Sequence, residues 1–220
     1  MELVSPVALL MALEPKMGWS SKVDPIRVLT GLYMAHYLNR SIVSVLRSRQ
    51  MAPMHLIVWL SAVVFNSING SLIGTFLRVQ SQSCMSTSRW FWLGVSIWAL
   101  GWVSNIAHDE ILMNLRRDSS GTSMASSSRH SYRTADGRLY SIPWGGLFRW
   151  VSFPSYLSEL IEWTGFGLAC ASVGCQTDLS EIFLNLFQSE ETFQVSGWDV
   201  PLLNPASLFV MNEVGVYEFI

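Results

Sequence analysis

Hydrophobic positions along this chain gather into long runs, and the polar residues that interrupt them recur at helical spacing. The clearest run extends from His55 to Leu77 and a second from Phe91 to about Met113. A third covers Tyr156 to Gly174, and a more amphipathic one covers Ile26 to Leu46. About 20 apolar residues suffice for a helix to cross a bilayer, so the pattern predicts four membrane-crossing or nearly crossing helices. The fold class expected is all-α, a multi-pass transmembrane helical bundle. Each run also carries polar groups: His36, Tyr37, Asn39 and Arg40; Asn66 and Asn69; Asn105, His108 and Asp109; Glu159 and Glu162. Such groups are costly at membrane depth and turn toward a bundle interior or a wet cavity. Four helices doing so would enclose a polar pocket.

Two stretches break the pattern. Residues 118–139, rich in Ser, Gly and Thr, have almost nothing to bury and read as a flexible cytoplasmic loop. From Cys175 to Ile220 the chain turns acidic, has no Lys or Arg, and holds no run of spanning length. The expected organisation is thus a transmembrane unit over residues 1–174 and a tail over 175–220 of unassigned structure. Composition agrees: half of the 220 residues are hydrophobic and only 14% are charged, too apolar for an ordinary soluble domain. The net charge of −2, with scattered Arg, offers no phosphate-tracking face, which sets nucleic acid aside. Three cysteines make no disulfide framework, and no Cys or His pair has zinc-like spacing, so no metal is expected. Arg47 and Arg49 precede the His55 run, and Arg116, Arg117, Arg129, Arg133 and Arg138 follow the Phe91 run, which puts both loops on the cytoplasmic side. The first residues have no basic region of a signal peptide and read as a helix entered halfway.

Several local patterns bear chemistry. Asn105, Asp109 and Arg116 fall at i, i+4 and i+11, one helical face along which a long amphiphilic cofactor could lie, with Arg116 at a phosphate. A polar stripe packed on neighbouring helices is the structural alternative. Gly145-Gly146 after Pro143 gives a sharp turn that returns the chain to the membrane or lets backbone approach a ligand. Tyr37 beside His36 on an apolar helix reads, taken alone, as an interfacial belt residue. Asn39-Arg40-Ser41 and Asn69-Gly70-Ser71 are glycosylation sequons lying inside predicted spans, where they are sterically unavailable. No Rossmann glycine pattern follows a strand.

The segment Tyr140-Ser141-Ile142-Pro143-Trp144-Gly145-Gly146-Leu147-Phe148, continued by Val151 to Tyr156 and by Glu159-Leu160-Ile161-Glu162-Trp163, resembles the signature block of the steroid 5α-reductase family. Asn105-Ile106-Ala107-His108-Asp109 with Leu115-Arg116-Arg117, His36-Tyr37-Leu38-Asn39-Arg40 and Asn69-Gly70 match further blocks in order. The resemblance covers roughly residues 1–174. It implies an NADPH-dependent oxidoreductase of the endoplasmic reticulum membrane that reduces the C4–C5 double bond of a 3-oxo-Δ4-steroid or a related lipid enone. It also implies that Tyr37 and Glu2 are catalytic, a phenol supported by a carboxyl group polarising the ketone. Asn105, Asp109, Arg116, Tyr140, Ser155 and Glu159 would hold NADPH. Ser155 stands where the family has Asn, a change that keeps one hydrogen bond and loses the amide's second donor. The family's first helix precedes the position of Glu2 and its cofactor-binding C-terminal stretch has no counterpart after residue 174, so a truncated chain is expected. Other readings are another lipid enone as substrate, a catalytically inactive fragment, or a non-catalytic lipid-binding membrane protein.

Overall fold

A computed structural model describes residues 2–13, 24–48, 55–80, 87–120, 131–133, 139–173, 192–195 and 198–201. The short apolar helix α1 (Val4–Leu13) is followed by α2 (Pro25–Leu38). Asp24 caps α2, its side chain accepting the Ile26 N–H at 2.9 Å, with Pro25 in the first turn where a missing N–H costs nothing. The helix runs on through a π-helical stretch, Asn39–Val43, into α3 (Ser44–Arg47). A π segment inside a helix widens the turn and re-aims its side chains, an arrangement common at functional sites. Then come α4 (Leu56–Gln80), α5 (Arg89–Ser120) and α6 (Pro154–Ala171), the last also opening on a proline.

The predicted runs thus appear as α2–α3, α4, α5 and α6. Two of them, Leu56–Gln80 and Arg89–Leu115, are long and apolar enough to cross a membrane. The other two carry Arg40 and the pair Glu159 and Glu162. Two short antiparallel pairs complete the described elements: β1 (Ser131–Arg133) with β2 (Leu139–Ser141), Tyr132 opposite Tyr140, and β3 (Thr192–Val195) with β4 (Trp198–Pro201). The expected loop therefore contains a strand, and α5 reaches three residues into it. Most of the expected tail lies outside the described residues.

One hydrophobic core joins Leu9, Leu29, Tyr33 and Tyr37 to Ile73 and Leu77 of α4 and to Trp98, Trp163 and Phe166 of α5 and α6. Helix α1 lies directly on α4, where Gly70 faces the Ser5 carbonyl and Ala8. Helices α5 and α6 approach as closely, Gly101 against the backbone of Glu162 and Ser158. Outward, Leu56, Ile57, Leu60, Val64 and Ile68 of α4 and Leu100 and Val103 of α5 are exposed. Apolar faces of this extent suit a hydrocarbon solvent better than water.

An ion pair joins Arg47, at the end of α3, to Glu110 of α5, both side chains about one-third exposed. Exposed pairs contribute little because water and salt screen them. Arg47→Ala is expected to shift unfolding stability by less than about 1 kcal/mol, checked by thermal melting in detergent.

Candidate active site

The polar residues of the helices converge on two adjoining clusters. In the first, α2 presents Tyr33 and Tyr37 one turn apart, their rings 4.7 Å from centroid to centroid. Both are buried. Asn69 of α4 donates through Nδ2 to the Tyr37 hydroxyl at 3.3 Å and to the Tyr33 hydroxyl at 3.4 Å. The Tyr33 hydroxyl also meets Ser5 Oγ of α1 at 2.5 Å. Three helices therefore contribute to one knot of hydroxyl and amide groups inside the apolar core.

The second cluster is a chain of charge on the next face of α2. His36 Nδ1 lies 2.7 Å from Glu162 Oε1, and His36 Nε2 lies 3.6 Å from Glu159 Oε1. Arg40 donates through NH1 to both Glu159 oxygens, at 3.3 and 3.1 Å, and through Nε to Glu2 Oε1 at 3.2 Å. The order Glu162, His36, Glu159, Arg40, Glu2 links α6 to α2 and its π-helical continuation and to Glu2, two residues before α1. Glu162 and Glu159 are almost wholly buried, so partners of opposite charge are required to hold them there. The ring of Trp163 packs on His36 with centroids 4.8 Å apart, closing the cluster on one side.

Farther along α5, Asp109 accepts the Ser155 hydroxyl at 2.9 Å, and Asn105 is buried one turn earlier. A small cleft beside Asp109 is lined by Asn39, Ser44 and Arg47 from the α2–α3 helix and by Ile106 and Glu110 from α5. The π stretch forms one wall of it. At the other end of Asp109's neighbourhood, Gly145 and Gly146 have φ of 111° and 51°, conformations that only glycine adopts without strain. They make the sharp turn expected of them, and the one-turn 3-10 segment Gly146–Arg149 follows. His108 receives this turn, Nε2 accepting the Leu147 N–H at 3.0 Å.

Of the residues singled out in the sequence, Tyr37, Glu2 and Glu159 come together around α2, while Asn105, Asp109 and Ser155 gather along α5. Glu2 is bonded to Arg40 rather than to the Tyr37 phenol, because a carboxylate gains more from a guanidinium than from a neutral hydroxyl. Arg116 lies on α5 and Tyr140 on β2. The sequence places His36, Arg40, Asn69, His108 and Glu162 among the polar groups of the expected pocket without giving any of them a role, and Tyr33 goes unnamed there. Their signal was spacing: Tyr33 with Tyr37 and His36 with Arg40 at i, i+4, and Glu159 with Glu162 at i, i+3, each a shared helical face. Among the described residues no group of His, Cys, Asp and Glu side chains is arranged to hold a metal ion.

Such an assembly has a definite chemical capacity. A phenol that accepts from an amide can donate its own proton onward to an oxygen on which negative charge develops. Fixed carboxylates and a guanidinium beside it offer acceptors for hydroxyl groups and a donor for anions.

Residues 52–198 match the family described as 3-oxo-5-alpha-steroid 4-dehydrogenase, a match that continues past residue 174. An uncharacterized protein of Schizosaccharomyces pombe is 38% identical over 186 residues, covering 77% of this chain and 64% of its own length. The 3-oxo-5-alpha-steroid 4-dehydrogenase 1 of Mus musculus is 34% identical over 154 residues, 68% of this chain and 52% of its own. The 3-oxo-5-alpha-steroid 4-dehydrogenase 2 of Sus scrofa is 34% identical over 151 residues, with the same coverage. The chain thus spans about half the length of these two mammalian relatives.

Proposed function

Because the chain belongs to the 3-oxo-5-alpha-steroid 4-dehydrogenase family, we propose that it takes part in reducing the C4–C5 double bond of a 3-oxo-Δ4-steroid or a related lipid enone, as a multi-pass protein of the endoplasmic reticulum membrane. The observation that carries this reading is the buried Tyr37 hydroxyl, fed by Asn69 and lying one helical turn from the Glu2–Arg40–Glu159 chain. Reducing an enone at its β-carbon puts negative charge on the ketone oxygen. Tyr37 would donate to that oxygen and stabilise the charge as it develops. Asn69 keeps the phenol oriented, and Glu2 with Glu159 holds Arg40 in place so that α1, α2 and α6 stay in register around the ring system.

The donor set also suits a nicotinamide dinucleotide. Asp109 and Glu159 offer carboxylates for ribose hydroxyls, Asn105 an amide for the carboxamide, Ser155 a hydroxyl, and Arg116 a guanidinium for phosphate. Tyr140, on β2, is the remaining residue that the family resemblance assigns to the cofactor. NADPH, when bound, supplies the hydride. Helices and loops rather than a Rossmann unit would hold it.

The direct test is incubation of membranes containing this chain with NADPH and a panel of Δ4-3-oxosteroids, scored by a mass gain of two hydrogens. Reduction that requires NADPH supports the proposal. A chain that binds steroid without reducing it in any condition would instead be a lipid-binding bundle.

A further inference from the structure

His108 takes no part in the reaction just outlined, yet its two ring nitrogens make short hydrogen bonds of opposite sense, with the Ser104 hydroxyl a longer third neighbour of Nδ1 at 3.4 Å. Nδ1 lies 2.6 Å from the Ser104 carbonyl oxygen, which can only accept, so Nδ1 carries the proton. Nε2 lies 3.0 Å from the Leu147 nitrogen, whose N–H can only donate, so Nε2 is the acceptor. The two partners fix one neutral tautomer. The ring is buried, and Phe148 meets it edge-on at 5.8 Å.

Leu147 is the second residue of the segment Gly146–Arg149, and the first amides of any helical turn lack partners within it. The imidazole supplies that partner from another helix. The fit leaves no spare room: a side chain on Gly146 would begin 2.8 Å from Nε2. On the next position of α5, Asp109 accepts the Ser155 hydroxyl. Adjacent α5 residues thus hold both ends of the stretch from Leu147 to Ser155.

We propose that His108 is a positioning residue, docking the Gly145–Gly146 turn onto α5 through the Leu147 amide and so fixing the wall beside Asp109 and Ser155 against which the dinucleotide rests. The cofactor part of this inference depends on the reading of the Asp109 side given above; the docking of the turn does not.

The test compares the full chain in lipid nanodiscs with H108Q and H108L. Glutamine places an acceptor oxygen about as far from Cβ as Nε2, whereas leucine fills the space and accepts nothing. Hydrogen exchange at the Leu147 amide should be slow in the parent and in H108Q and about tenfold faster in H108L, the factor for one net hydrogen bond. KM for NADPH should rise about tenfold in H108L with kcat within about twofold, and H108Q should restore it. If H108L does not fold, H108N, too short to reach Leu147, takes its place. Equal exchange in parent and H108L overturns the docking. Lost protection with unchanged KM, or no restoration by H108Q, overturns the positioning role. If the parent itself neither binds nor oxidises NADPH, the cofactor reading falls, and the exchange data still decide the docking.

Discussion

In the proposed reaction, Tyr37→Phe is expected to lower the rate of Δ4-3-oxosteroid reduction by about 10²–10³-fold, the usual cost of removing one donor aimed at a developing oxyanion. The substitution deletes a single oxygen. The ring keeps its place against Tyr33 and Trp163, whose centroids lie 4.7 and 6.3 Å away, so packing is conserved. Asn69 loses one acceptor and keeps its contact with the Tyr33 hydroxyl, a change of about 1 kcal/mol in stability. Activity and stability should therefore separate: turnover collapses while the melting temperature moves by a few degrees. Binding of the steroid should weaken far less than turnover, because the donor acts on charge that exists mainly in the transition state. Turnover in Tyr37→Phe within about threefold of the parent would remove the phenol from the mechanism, since even a weakly placed oxyanion donor contributes more than that.

How far the sequence anticipates this site depends on the range of each contact. Features set by neighbouring residues were readable. The hydrophobic runs give α2–α3, α4, α5 and α6, and Pro143 followed by Gly145 and Gly146 gives a turn whose φ angles are positive. Contacts between helices were not. His36 and Glu162 are 126 positions apart, and periodicity states only that each lies on a polar face, never which faces meet. Glu2 shows the same limit: the family resemblance implies that it supports the Tyr37 phenol, and says nothing of Arg40 one turn further on, which takes the carboxylate instead. The strand Ser131–Arg133 escaped notice because its pairing with Leu139–Ser141 depends on the register of two short segments rather than on a hydrophobic pattern.

The packing of α5 on α6 supplies the second large effect. Gly101 has no side chain because the position has no volume to give: a Cβ there would stand 2.7 Å from both the Ser158 carbonyl oxygen and Glu162 Cα, and backbone atoms cannot rotate away. Gly101→Val would have to push α6 outward. Overpacking of this kind costs about 1–3 kcal/mol on its own. The displacement also carries Glu162 away from His36 and Glu159 away from Arg40, and breaking a buried ion pair costs about 3–5 kcal/mol more. Domains are stable by only about 5–15 kcal/mol, so the expected outcome is a chain that fails to yield a monodisperse folded species in detergent. Gly31→Ala is the matched control, since nothing lies within 4 Å of its added methyl and alanine is favoured over glycine in a helix by about 1 kcal/mol. It should melt at or above the parent temperature. A folded Gly101→Val chain melting within a few degrees of the parent would mean either that Glu162 stays against His36 while α6 shifts or that parting them costs little, and in both cases the packing of α5 on α6 would not be coupled to the buried charge chain as argued.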